Sequence, residues 1–170
     1  MDLYRERGFD QTTVAEIAAR AGLTERTFFR HFADKREVLF AGAGELADVV
    51  VAAVVGAPAG ASPIEAAAAG LTAAAEVIRD REFSRLRQNV IQASGELRER
   101  ELIKLASLAA AIAAALRERG VGEPAASLTG EVAMAVFRIA FERWVEDGSA
   151  GELAEEMASA LEEVRAVTAG

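Results

Sequence analysis

The feature that most limits what this chain can fold into is the run from Thr12 to Phe32, TTVAEIAARAGLTERTFFRHF. Val14, Ile17, Ala18 and Ala21 fall at i, i+3, i+4 and i+7, one apolar stripe on a helix of about two turns. Thr13 and Glu16 have the spacing of a capping box, so the start of that helix is specified. Gly22 suits a sharp reversal, and Thr24 is a good N-cap for a second helix. Leu23 is placed to pack on Phe28 as a hydrophobic staple, with Phe28 and Phe32 facing the same core. Glu25, Arg26, Thr27, Phe29 and Arg30 then project outward from the amino-terminal half of the second helix. That is the half a recognition helix turns toward base edges, so the run predicts a helix-turn-helix.

Charge bears on this reading because the chain carries a net charge of −8, the wrong sign for binding DNA. Residues 1–40 hold seven Lys/Arg and seven Asp/Glu, which leaves the whole acidic excess to residues 41–170. A neutral head on an acidic body repels nucleic acid everywhere except at the head. Lys35 and Arg36 follow Asp34 directly and are expected in the first turn of the next helix, where cations oppose the helix dipole. With His31 nearby, they form an expected phosphate clamp beside the recognition helix.

The rest of the chain is dense in alanine and has no sustained alternation of apolar and polar residues, so the fold class is all-α. Breaks at Gly8, Gly22, Gly56 to Pro63, Gly120 to Pro124 and Gly148 to Gly151 cut it into a head of short helices and a body of longer ones. Body helices are expected near 35–55, 63–80, 82–95, 97–119, 124–147 and 151–168. Ser62-Pro63 marks one start and Gly120 one end. Two domains follow: residues 1–40, the DNA-binding head, and residues 41–170, the helical body.

Several function classes fall away. Cysteine is absent and there is one histidine, and no glycine-rich phosphate loop or metal-ligand spacing occurs, so no catalytic constellation, metal or cofactor is expected. The longest uncharged stretches are too broken or too short to span a bilayer, and the charged opening Met-Asp-Leu-Tyr-Arg-Glu-Arg is unlike a signal peptide. A cytoplasmic protein is expected.

Residues 3–40, LYRERGFDQTTVAEIAARAGLTERTFFRHFADKREVLF, resemble the DNA-binding domain of the TetR family of transcriptional regulators. The RGF turn, the TTV-x-x-IA-x-x-AG-L-T-x-x-TFF-x-HF run and Lys35 follow the family pattern. The resemblance implies that Thr13, Phe29, His31 and Lys35 sit at phosphate-contacting positions and Glu25, Arg26 and Thr27 at base-reading ones. Thr24 and Arg30 complete the expected DNA-facing set. The family usually has Tyr where this chain has Phe29, which removes one phosphate hydrogen bond worth on the order of 1 kcal/mol. Family members also begin with a basic arm and a full first helix. Here only the tail of that helix, Leu3 to Arg7, is present, so this chain is expected to begin inside it, with Met1 internal to a longer product.

For the body, the resemblance implies a four-helix dimer interface made by the last two helices and their copies, and double-stranded operator DNA as partner. The helix near 124–147 is apolar on two faces, one with Leu128, Val132, Val136 and Ile139 and the other with Met134, Phe137, Phe141, Trp144 and Val145. The last helix carries one stripe, Leu153, Met157, Leu161 and Val164. Val132, Val136, Ile139, Leu153, Met157, Leu161 and Val164 are therefore the expected dimer contacts; the alternative is that both stripes are ordinary core within one chain. The resemblance further implies a cavity for a small, partly hydrophobic effector. Arg85, Gln88, Asn89, Gln92, Arg138 and Glu142 are the polar candidates and Phe137, Phe141 and Trp144 the walls. The function implied is a repressor that holds a palindromic operator as a homodimer and is released by that effector. The alternative is a helical ligand-binding or interaction protein that has lost DNA binding.

Overall fold

A computed structural model describes residues 1–146 and 151–168. Its described residues form α1 (Asp2–Arg7), α2 (Val14–Arg20), α3 (Glu25–His31), α4 (Ala43–Gly56), α5 (Pro63–Val77), α6 (Arg81–Gln92), α7 (Gly95–Glu118), α8 (Ala125–Glu146) and α9 (Leu153–Thr168). The fold is all-helical, as the sequence predicts. No described helix is long and apolar enough to cross a membrane. The expected break from Gly148 lies outside the described residues up to Gly151, as does the expected extension of the fifth body helix to residue 147.

The start signals read from local spacing are present in the coordinates. Thr13 and Glu16 form the capping box of α2, and Thr24 Oγ1 accepts from the Thr27 amide to cap α3. Ser62 and Glu65 form a second capping box in front of Pro63 at the start of α5. Each motif joins residues three apart, so it needs no tertiary partner.

The helix expected over 35–55 is corrected: it begins only at Ala43. The Asp34 carboxylate accepts from the amides of Arg36 (2.8 Å) and Glu37 (3.3 Å), a local turn that competes with a helical start further on. Leu39, Phe40 and Ala43 continue in three-residue steps, donating to the carbonyls of Arg36, Glu37 and Phe40. Gly42 then sits at φ +83, which no helical residue adopts. Lys35 and Arg36 are thus in a run of turns and not in a helical first turn.

The chain divides into two compact units. The first joins Met1–Ala43 to Glu82–Ile103, so α1 to α3 share a unit with most of α6 and the beginning of α7. Its core is Tyr4, Phe9, Leu39, Phe40, Ile91 and Leu97, with Ile17 and Val90 packed against it. The second joins Gly44–Arg81 to the chain from Lys104 onward, with α5, α8 and α9 mutually packed. Its core runs through Val54, Leu71, Ile112, Leu116, Val136, Phe141, Trp144, Leu153, Met157 and Leu161.

Small residues let helices of the second unit approach closely. A methyl group built on Gly130 of α8 would stand 2.5 Å from the Ala109 carbonyl oxygen of α7 and 3.5 Å from the Ala113 methyl. Relief requires the backbone of α7 to shift, a strain of about 1–3 kcal/mol, against about 1 kcal/mol gained from helix propensity. Gly130→Ala is therefore expected to lower stability by up to about 2 kcal/mol, or up to roughly 8 °C in Tm by circular dichroism. A raised Tm contradicts the close approach.

The expected dimer contacts divide in two. Val136, Leu153, Met157 and Leu161 are buried inside the single chain, which corrects their assignment to a surface shared with a copy. Their stripes face one another and α5, the alternative the sequence left open. Val132 and Val164 are half-buried, and Ile139 remains 40% exposed on the outer side of α8.

Candidate nucleic-acid interface

α2 and α3 are held by a turn in which two amides reach back along α2. Gly22 N donates to Ala19 O (3.1 Å) and Leu23 N to Ala18 O (2.8 Å). These bonds satisfy carbonyls at the end of α2 in the manner of a Schellman motif. They also pin Leu23, which is 47% exposed, while Phe28 is buried. Phe28 packs edge-on against Phe29 (5.4 Å between centroids) and tilted against Phe32 (5.3 Å).

Around this pair the head spends most of its polar groups on itself. Thr13 Oγ1 donates to the Glu16 carboxylate (3.0 Å) while accepting from its amide, so its one proton is committed to the cap. Thr24 and Thr27 are linked through their hydroxyls at 3.1 Å. The Lys35 ammonium donates to the carbonyls of Phe9 (2.8 Å), Thr12 (3.1 Å) and Asp10 (3.2 Å) and lies 4.3 Å from the centre of the Phe9 ring. An ammonium has three protons, so Lys35 is saturated as the anchor of the loop between α1 and α2. Thr12 Oγ1, buried, donates to Gly8 O at 2.8 Å in the same loop. The Tyr4 hydroxyl donates to Lys35 O at 2.7 Å, and burial followed by the charge of Asp34 pushes its pKa up to about 12.

The ion pairs follow the same inward pattern. Arg5 meets Asp2, Arg7 meets Glu16, Arg20 meets Glu6, and Arg36 meets both Asp34 and Glu96. Arg100 donates to Glu37 at 2.7 Å. The expected phosphate clamp is therefore not free: Lys35 is held by carbonyls and Arg36 by two carboxylates. Among the described residues of the head, the basic side chains that face no carboxylate or carbonyl are Arg26 and Arg30; the acidic ones without a basic partner are Asp10 and Glu25. All but Asp10 lie on α3.

Their arrangement on α3 is regular. At 100° per residue, Glu25, Phe29, Arg26 and Arg30 occupy one arc of about 140°, with Glu25 below Phe29 on one side and Arg26 below Arg30 on the other. All four are exposed, Phe29 at 54%. The Arg30 guanidinium lies 3.4 Å from His31 Nε2, which accepts in the tautomer that carries its proton on Nδ1. Three charges and an aromatic ring thus form a convex face on a rigid, doubly capped pair of helices.

Acid should loosen the segment that leaves α3. The Asp34 carboxyl is held below the usual carboxylate range, chiefly by the Arg36 side chain and then by two backbone amides, against the opposing effect of burial. The folded state binds that proton less readily than the unfolded chain, so the stability this site supplies is present above the ordinary carboxylate pKa. It is lost as pH falls through the lowered folded value. Asp34→Asn is expected to lower stability at neutral pH and to flatten the acid limb of a Tm-against-pH curve; parallel curves for both proteins contradict this.

Sequence reasoning missed a group of arginines that reach the segment after α3 from far along the chain. Arg87 donates to Leu39 O at 2.7 Å, pairs with Glu101 at 3.3 Å and lies 5.0 Å from the centre of the Phe40 ring. Burial lowers its pKa, opposed by Glu101. No local spacing signals contacts of this sequence separation.

The expected effector residues fall into two sets. Arg85, Gln88, Asn89 and Gln92 are on α6 within the first unit; Arg85, Asn89 and Gln92 are exposed, while Gln88 Oε1 is buried without a hydrogen-bond partner among the described residues. Phe137, Phe141 and Trp144 form an aromatic row on α8, with centroids 5.8 and 5.9 Å apart, and Arg138 and Glu142 are exposed on the same helix. The Arg81 guanidinium, which the sequence did not single out, lies 5.9 Å from the centre of the Trp144 ring.

The family described as bacterial regulatory proteins, tetR family, matches residues 1–41. The HTH-type transcriptional regulator TcmR of Streptomyces glaucescens is 35% identical over 83 residues, 49% of this chain and 37% of that protein. The chain thus spans little more than a third of the length of that curated relative. Among solved structures, Thermus thermophilus FadR, a TetR-family transcriptional repressor in complex with lauroyl-CoA, is 26% identical with a TM-score of 0.61 over 97% of this chain and 89% of its own. A putative TetR-family regulator from Mesorhizobium loti is 22% identical with a TM-score of 0.58, over 99% of this chain and 90% of its own, and shares the fold.

Proposed function

We infer that the chain is a TetR-type transcriptional regulator that reads a palindromic operator as a homodimer through the outer face of α3, a reading supported by the family match of its first 41 residues and its likeness to a solved repressor. The observation that carries this reading is where the head leaves its charge uncompensated. Arg5, Arg7, Arg20, Lys35 and Arg36 are engaged inside the head, whereas Arg26 and Arg30 face outward together beside Phe29. Phosphate and guanine acceptors are the partners such guanidinium groups lack within the chain. Phe29 packs on the sugar-phosphate surface and His31 adds a phosphate contact.

The caps assign the other expected residues a supporting part. Thr13, Thr24 and Thr27 set the angle between α2 and α3, and Lys35 locks the preceding loop. The outer side of α8, with exposed Leu128 and Ile139 and half-buried Val132, supplies the patch that meets a copy of the chain. Two copies bring two α3 helices to half-sites one DNA turn apart.

The body takes a small, partly hydrophobic molecule, for which the aromatic row of α8, Phe137, Phe141 and Trp144, supplies the candidate contacts. The acyl-CoA held by the T. thermophilus relative is of that chemical kind. Binding favours a dimer whose heads are mis-spaced for successive major grooves, so ligand and operator weaken each other by the same factor and repression is relieved. The test is a titration of the chain against the DNA upstream of its own gene. Two chains per duplex and affinity that falls steeply with salt support the reading; equal affinity for that DNA and a scrambled duplex favours a helical interaction protein without operator binding.

A further inference from the structure

A carboxylate on a surface built to meet a polyanion is costly unless it meets a donor. Glu25 is such a carboxylate. It stands at the first turn of α3, exposed, on the arc shared with Arg26, Phe29 and Arg30. Five of the head's other acidic side chains are neutralised by arginines of the same unit, and Asp10 lies in a turn away from this arc. Glu25 therefore keeps a full negative charge on the one face where the head presents free cations.

We propose that Glu25 is a specificity-determining residue that imposes cytosine at one position of each operator half-site. The inference rests on the operator-reading function given above. An ionised carboxylate only accepts hydrogen bonds. In the major groove the donors are the amino groups of cytosine and adenine. Cytosine offers its N4 amino group with no acceptor on its own base beside it, only the O6 of the paired guanine, whereas the N6 amino group of adenine is flanked by its own N7 as well as by O4 of the paired thymine, which repel the second carboxylate oxygen. Guanine and thymine present acceptors at this depth and leave the charge desolvated and unpaired. Arg26, one residue on and turned by about 100°, carries the opposite pattern, two donors that match guanine O6 and N7. Glu25 also repels phosphates, so it lowers affinity for DNA lacking the matched cytosine, and its contribution is discrimination.

The experiment is selection of duplexes from a random library by the full chain, the wild type beside Glu25→Gln and Glu25→Ala, with fold checked by circular dichroism. The wild type is expected to recover a two-fold symmetric motif with one fixed cytosine per half-site, favoured on the order of tenfold or more over other bases. Glutamine carries a donor and an acceptor that match adenine N6 and N7, so Glu25→Gln moves that position from cytosine to adenine and leaves the rest of the motif in place. Glu25→Ala loses the preference at that position alone and binds random duplex more tightly than the wild type. A wild-type motif reproduced unchanged by both variants overturns the role of Glu25 while leaving operator reading intact. Absence of any motif with the wild type overturns operator reading itself.

Discussion

Arg26→Ala is expected to cut discrimination between operator and non-operator DNA sharply while leaving the fold untouched. The guanidinium is exposed on the first turn of α3 and makes no ion pair among the described residues, so its removal breaks nothing within the chain. A bidentate contact from Arg to guanine is worth about 1–3 kcal/mol, and in a symmetric dimer it is lost twice. Operator affinity should fall by about 2–6 kcal/mol, roughly 30-fold to 10⁴-fold, in a fluorescence-anisotropy titration at fixed salt. Affinity for random duplex should fall much less, because there the same side chain contributes only its charge. A uniform loss on both duplexes would instead make Arg26 a phosphate contact.

Arg87→Met destabilises the first unit more than any surface substitution in it. Three partners lose their arginine at once: the Leu39 carbonyl, the Glu101 carboxylate and the face of Phe40. The turn bonds that shape residues 36–43 do not use the Leu39 carbonyl, so nothing replaces the lost donor. Breaking a buried pair from one side costs about 3–5 kcal/mol. The Arg87 side chain is still 22% exposed, which brings the expectation down to about 2–4 kcal/mol, or roughly 4–16 °C in Tm. Methionine keeps the apolar stem, so the loss reports on the charged head of the side chain. Glu101→Gln in the Arg87→Met background should cost less than in the wild type, because the pair has already been broken. A Tm within 1–2 °C of wild type, by rough calorimetric resolution, contradicts the role assigned to Arg87.

What was legible in the sequence is what depends on residues three or four apart. The capping boxes at Thr13 and Ser62, the cap at Thr24 and the turn after α2 are local, and the coordinates contain each of them. The apolar stripes of α8 and α9 were legible as buried faces. A stripe states that a face is covered and not by what, which is why Val136, Leu153, Met157 and Leu161 read equally well as dimer contact or core.

The segment from Asp34 to Gly42 was illegible for the opposite reason. Its pattern suits a helix, but its conformation is decided by a side chain folding back on its own backbone and by arginines 48 and 63 residues further on. The candidate site was legible as a set of residue types and only partly as a set of roles. Glu25, Arg26, Phe29 and Arg30 face outward as their positions on the helix imply. Thr13 and Lys35 carry the right chemistry for DNA, yet the Thr13 proton is committed to its own cap and the Lys35 ammonium to carbonyls that no spacing rule named. The charge count is equally blind to roles, since a balanced total does not say which residues pair and which, like Glu25, Arg26 and Arg30, do not.

The central claim is that the outer face of α3 reads base sequence. Its most direct measurement is the ratio of affinities of the full chain for its selected duplex and for a scrambled duplex of equal length, taken over a series of salt concentrations. A ratio on the order of 10³ or more is expected, reduced at least about tenfold in Arg26→Ala and further when Glu25 is also replaced by Ala, with both affinities falling as salt rises. Equal affinities at every salt concentration, or a ratio unchanged when Glu25 and Arg26 are both replaced by Ala, would contradict sequence reading by this face.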